Sequence, residues 1–111
     1  MISSHVLDLA LGAPARGLTL HLDVLEAGGA WRRLATATTD DDGRAPGLAD
    51  AATLGERTCR LSFETAAYFG AAGRPAFFPR VEVVFSLAKD GGNYHVPLLL
   101  SPFGYSVYRG S

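Results

Sequence analysis

Leu18-Thr19-Leu20-His21-Leu22-Asp23-Val24 is the stretch whose reading decides the fold. Leu18, Leu20, Leu22 and Val24 share one side of an extended chain; Thr19, His21 and Asp23 share the other. Side chains alternate across a strand, so this segment is a strand with one buried and one wet face. A helix would space its apolar residues by three and four instead. Working outward, Ala27-Gly28-Gly29 breaks the pattern, and Trp31 to Thr38 reads as the returning strand of a hairpin. Thr39 to Arg44 is a polar turn built on Asp42-Gly43, a strong turn dipeptide, with Arg44 just beyond it. Leu48 to Gly55 is weakly patterned and is expected to be a loop. Thr58 to Glu64 alternates again. Residues 65–73 are alanine-rich, with Thr65 placed as an N-cap and Gly73 as the residue past a helix end, which predicts one short helix. Arg80 to Leu87 puts Val81, Val83 and Phe85 on one face. Tyr94 to Leu100 and Tyr105 to Arg109 are the last strands. The whole reads as an all-β sandwich of roughly seven or eight short strands, one domain over residues 1–111.

Composition bounds the function. A chain of 111 residues can close one hydrophobic core without metal or disulfide support. The net charge is −1 and the arginines are scattered from Arg16 to Arg109, so no basic stripe is present to neutralise phosphates and no nucleic-acid partner is expected. Cys59 is the only cysteine, which rules out an intramolecular disulfide and predicts a buried small hydrophobe. The N-terminus shows no basic region followed by an apolar one, so no signal peptide is expected. The longest apolar run, Val96 to Leu100, is interrupted by Pro97 and falls far short of the ~20 residues a spanning helix needs. A soluble, cytoplasmic chain with no membrane partner is the expectation.

Residues able to carry chemistry concentrate at three places: His5, Arg44 beyond the turn, and His95 with the tail Tyr108-Arg109-Gly110-Ser111. A histidine can exchange protons near neutral pH, and an arginine fork suits carbonyl or carboxylate oxygens. His95 adjoins an aliphatic run, where partial desolvation favours the neutral, basic imidazole. Taken singly, His5 and Arg44 read more readily as structural residues, one at a strand edge and one solvated beside a turn, and His95 is equally consistent with a packed histidine. Asp40-Asp41-Asp42 lacks the alternating ligand spacing of a calcium loop, and His5, His21 and His95 lack the close spacing of a zinc site. The tail is unusual because an alternating strand runs almost to the last residue, where chains commonly fray. It is expected to dock, at a subunit contact.

These segments together closely resemble the transthyretin-like 5-hydroxyisourate hydrolases, from Ser4 to Ser111. The resemblance rests on His5-Val6-Leu7-Asp8, Gly12-Ala13-Pro14-Ala15, Thr39 through Arg44, Tyr68-Phe69, Phe77-Phe78-Pro79, Tyr94 through Pro102, and above all Tyr108-Arg109-Gly110-Ser111. It implies a transthyretin-like β-sandwich of two four-stranded antiparallel sheets. It also implies a homotetramer, a dimer of dimers, with active sites where chain ends of neighbouring subunits meet. The family's functional residues fall on His5, Arg44, His95, Tyr108, Arg109, Gly110 and Ser111. Two positions depart from the family pattern: Asn93, where a further histidine is common, and Val107, where threonine is.

The implied reaction is hydrolysis of 5-hydroxyisourate to 2-oxo-4-hydroxy-4-carboxy-5-ureidoimidazoline, which needs an activated water and an oxyanion site but no cofactor or metal. On that reading His5, Arg44, His95 and Ser111 are catalytic. His5 and His95 share the acid–base work, and Arg44 orients the substrate and stabilises the oxyanion. The chain-end carboxylate fixes a histidine tautomer. His5, Arg44, Tyr108, Arg109 and Gly110 bind the substrate. The alternatives are a non-enzymatic transthyretin-like small-ligand carrier, an unrelated sandwich that binds other proteins, and a zinc hydrolase using the histidines.

Overall fold

The computed structural model describes all residues, 1–111. The strands, in chain order, are β1 (Ile2–Asp8), β2 (Ala13–Pro14), β3 (Thr19–Leu25), β4 (Trp31–Thr38), β5 (Arg44–Ala49), β6 (Thr58–Phe63), β7 (Val81–Ser86), β8 (Tyr94–Ser101) and β9 (Gly104–Val107). Helix α1 (Ala51–Leu54) lies between β5 and β6, and α2 (Thr65–Ala71) between β6 and β7. One sheet has the order β4-β3-β6-β7 and is antiparallel throughout. The other runs β2-β1-β8-β9, with β5 also on β1. There β5 pairs with the first half of β1 and β2 with its last two residues, so one edge of β1 serves two short strands.

The alternation that announced the strands also builds the core. Leu20, Leu22, Val24, Leu61 and Phe63 of one sheet and Ile2, Val6, Leu98 and Leu100 of the other are fully buried. Truncating such a leucine to alanine costs about 2–5 kcal/mol, because lost transfer energy and a residual cavity add. Cys59 is buried among them, as expected.

Three local expectations need correction. Leu48 to Gly55 is not a loop: it completes β5 and forms α1. Asp50 caps that helix by accepting the Ala52 N–H, and Ala51 is buried in the core, so tertiary packing holds a helix too short to show a period. Thr65 does not cap α2, because its hydroxyl donates instead to the Phe78 carbonyl at 2.9 Å. Finally, β1 and β8 pair in parallel, inside sheets that are otherwise antiparallel.

Asp8, fully buried at the end of β1, anchors that strand. It receives the Arg74 fork at 2.7 and 3.1 Å, the Tyr68 hydroxyl at 2.8 Å and the Leu11 N–H at 3.0 Å. Burial pushes its pKa up, but the bonds from Arg74, Tyr68 and Leu11 outweigh burial and hold the carboxyl below its ordinary value. Ser4, also facing inward, donates to the Val96 carbonyl at 2.7 Å and adds a side-chain tie between β1 and β8.

Candidate active site

Three strands bring the polar residues to the outer face of the β1 sheet. Along β1, Ile2, Ser4, Val6 and Asp8 point into the core, so Ser3 and His5 point out. Along β8, His95 lies outward between buried Tyr94 and Val96. The parallel register sets Ser3 opposite His95 and His5 opposite Pro97. The antiparallel pairing sets Arg44 of β5 opposite His5. β1 therefore carries His5 in the middle, with Arg44 on one flank and His95 on the other. The two imidazoles have centroids 6.4 Å apart and planes tilted by 33°.

The Asp-Gly turn fixes His5 and Arg44 together. His5 Nε2 lies 2.8 Å from the Asp42 carbonyl oxygen. A carbonyl only accepts, so Nε2 carries the proton and Nδ1 is left to exchange one. Asp40 Oδ1 accepts the backbone N–H groups of Asp42 and Arg44, each at 2.9 Å. Gly43 has φ +76°, and a Cβ there would overlap the Val6 carbonyl oxygen of β1. Only glycine lets the turn press this closely on the strand.

His95 is held from two sides. Its Nδ1 lies 2.9 Å from Ser3 Oγ. Gly110 of the tail donates its N–H to the His95 carbonyl at 2.7 Å, and a Cβ on Gly110 would come within 2.8 Å of the ring's Cδ2. Burial lowers the His95 pKa below the ordinary histidine value, and the nearby charges of Arg44 and His5 lower it further. An open, polar cleft of about 320 Å³ lies here, lined by Ser3, Arg44, Asn93, His95 and Ser111 among others.

The structure thus gathers His5, Arg44, His95, Gly110 and Ser111. It places Tyr108 and Arg109 differently. The Arg109 guanidinium stacks on Tyr94, 4.5 Å from the ring centroid, and donates to the Asn93 carbonyl at 3.2 Å. With Tyr108 it borders a separate cleft of about 240 Å³ beside Val83, Phe85 and Val107. His21 belongs to the opposite sheet, where it meets Thr36 Oγ1 and Glu64. No three His, Cys, Asp or Glu side chains gather as a metal-binding group. Ser3 was missed from the sequence. The only available signal was its outward phase on β1, two residues before His5.

An imidazole and a guanidinium lining one open cleft, with a second imidazole beside them, can move protons and stabilise an oxyanion. The chain matches the HIUase/Transthyretin family over residues 2–110. It belongs to that family. A mouse relative, 5-hydroxyisourate hydrolase, is 47% identical over 111 residues, covering 99% of this chain and 94% of the relative. Within the same family, the Klebsiella pneumoniae 5-hydroxyisourate hydrolase structure superposes with a TM-score of 0.86 at 36% identity, covering 99% of this chain and 98% of that one. A sea bream transthyretin solved with thyroxine gives 0.92 at 32% identity, covering 98% and 93%. The HIUase/Transthyretin fold therefore accommodates a hydrolase and a hormone-binding protein alike, and the choice between them rests on the cleft.

Proposed function

We propose that the protein hydrolyses 5-hydroxyisourate to 2-oxo-4-hydroxy-4-carboxy-5-ureidoimidazoline in urate degradation. The observation that carries this reading is the gathering of His5, Arg44 and His95 by three adjacent strands, with Arg44 and His95 lining one open cleft and the His5 ring 6.4 Å from that of His95. The names of the hydrolase relatives support it. A carrier of apolar ligands has no need of a guanidinium and an imidazole in its wall, whereas Arg44 and His95 stand in this one beside Met1 and Pro46.

Water attacks the ring carbonyl, and the amide-type C–N bond then breaks. His95, neutral at pH 7 because of its lowered pKa, takes the proton from the attacking water. Arg44 orients the substrate carbonyls and stabilises the tetrahedral oxyanion. Acting in its doubly protonated form, His5 supplies the Nδ1 proton to the departing ring nitrogen while Nε2–H stays on the Asp42 carbonyl, and the proton taken up by His95 is returned to His5 through solvent at turnover. Ser111 closes the cleft, and Gly110 shapes it by seating the His95 ring. Tyr108 and Arg109 contribute to substrate binding in the assembled homotetramer, a dimer of dimers in which chain ends of neighbouring subunits meet. A cytoplasmic location, consistent with the single free cysteine, belongs to the same proposal.

Single-turnover kinetics on folded His95→Ala and Arg44→Ala variants test the assignment. Each is expected to lose about 10²- to 10⁴-fold in rate, the usual contribution of a positioned acid–base or oxyanion group. Near-normal rates in both would overturn it.

A further inference from the structure

We propose that Ser3 is a positioning residue that fixes the His95 tautomer, accepting a proton bond from Nδ1–H so that the Nε2 lone pair faces the chemistry. This deepens the hydrolase reading above and rests on it. Ser3 is the register partner of His95 across the parallel β1/β8 pair, and its Oγ lies 2.9 Å from Nδ1. That bond is the only one the protein makes to either ring nitrogen of His95. A hydroxyl can donate or accept, so the direction has to come from the surroundings. Were Ser3 the donor, Nε2 would carry the imidazole proton, and the ring would have no lone pair left for the attacking water. With Ser3 accepting, Nε2 is basic and the serine O–H is free to turn into the cleft that Ser3 lines.

Gly110 completes the arrangement. The tail lies close against the ring, since a Cβ on Gly110 would come within 2.8 Å of Cδ2. The imidazole is therefore held in place by the tail and in tautomer by Ser3. The neighbouring Ser4 shows the contrast: it points inward and spends its hydroxyl on the Val96 carbonyl, which makes it a tie between strands. The charged and titratable groups facing His95 are Arg44 from β5 and His5 from β1. No hydrogen bond joins the His5 and His95 rings, whose centroids stand 6.4 Å apart, so His5 does not fix the tautomer.

The test is ¹⁵N NMR of the imidazole nitrogens, with His95 assigned by the loss of its signals in His95→Ala, in the wild type, Ser3→Ala and Ser3→Thr. The wild type and Ser3→Thr should show His95 as the neutral Nδ1–H form. Ser3→Ala should show a mixture of tautomers, since nothing then holds the proton at Nδ1. In steady-state kinetics Ser3→Ala should lose about 10-fold in kcat, the worth of one neutral hydrogen bond, with KM little changed and with recovery in Ser3→Thr. An Nε2–H form in the wild type, or the same spectrum in Ser3→Ala, would overturn the proposal even if hydrolysis proceeds. The expected spectra in a protein that does not hydrolyse the substrate would uphold the role of Ser3 and sink the hydrolase reading alone.

Discussion

His95 sits between β1, which supplies Ser3, and the tail, which supplies Gly110. Its lowered pKa has a direct kinetic consequence. A general base works only in its neutral form, and here neutrality persists to lower pH than for a free imidazole, whose pKa is about 6.5. The acid limb of the kcat/KM profile should therefore have its midpoint below about 6.5, with activity falling as pH drops through it. Arg44→Gln removes one of the charges that lowers the pKa, so the midpoint should move up toward the free value. A midpoint at or above the free value in the wild type would contradict the assignment of His95 as base. At this scale the sequence was informative about residue type. His5, Arg44 and His95 stood out as the groups able to move protons or bind oxyanions. Ser3 did not, because serines are common on strands and only the register across β1/β8 shows which one meets a ring nitrogen.

β1 supplies two of the site residues, and Asp8 secures its end to α2 and Arg74. The Asp8 pKa is lowered on folding, so its contribution to stability is present above the ordinary carboxylate value of about 3.9 and is lost as pH falls through the folded value. Asp23, bonded to Arg33 and Arg60, adds in the same direction. Thermal melts should show the wild type losing stability steeply below about pH 4, and Asp8→Asn losing less over that range. At neutral pH Asp8→Ala should cost about 2–3 kcal/mol, at or below the low end for a broken buried pair because Arg74 can reach solvent. Equal acid slopes in wild type and Asp8→Asn would contradict this account. Alternation and turn dipeptides revealed β3, β4 and β6 to β9 within a residue or two, since a half-buried strand writes its faces into the sequence; β1 stayed hidden, because its inward face carries Ser4 and Asp8 beside Ile2 and Val6. β5 and α1 left no such trace. β5 carries Pro46 and Gly47 and no alternation, and α1 has only four residues; their stability comes from pairing with β1 and from the burial of Ala51. The parallel sense of β1 and β8 was equally silent, because alternation has the same period in either direction.

The whole molecule decides which residues meet. Of the three histidines, the topology sends His21 to one sheet and His5 and His95 to the outer face of the opposite one. The same topology leaves Arg109 stacked on Tyr94, so in this chain it tethers the tail that presses Gly110 against His95. The fold itself does not choose between a hydrolase and a ligand-binding protein, since a 5-hydroxyisourate hydrolase and a transthyretin in complex with thyroxine both superpose on it. The choice is a claim about chemistry, and the most direct measurement follows the ultraviolet decay of 5-hydroxyisourate, generated in the cuvette by urate oxidase, after the purified protein is added with a chelator present. Decay should be faster than the spontaneous background and unaffected by the chelator. Decay no faster than background, from a protein confirmed as a folded tetramer by light scattering, would contradict the hydrolase reading and leave the cleft as a ligand-binding site.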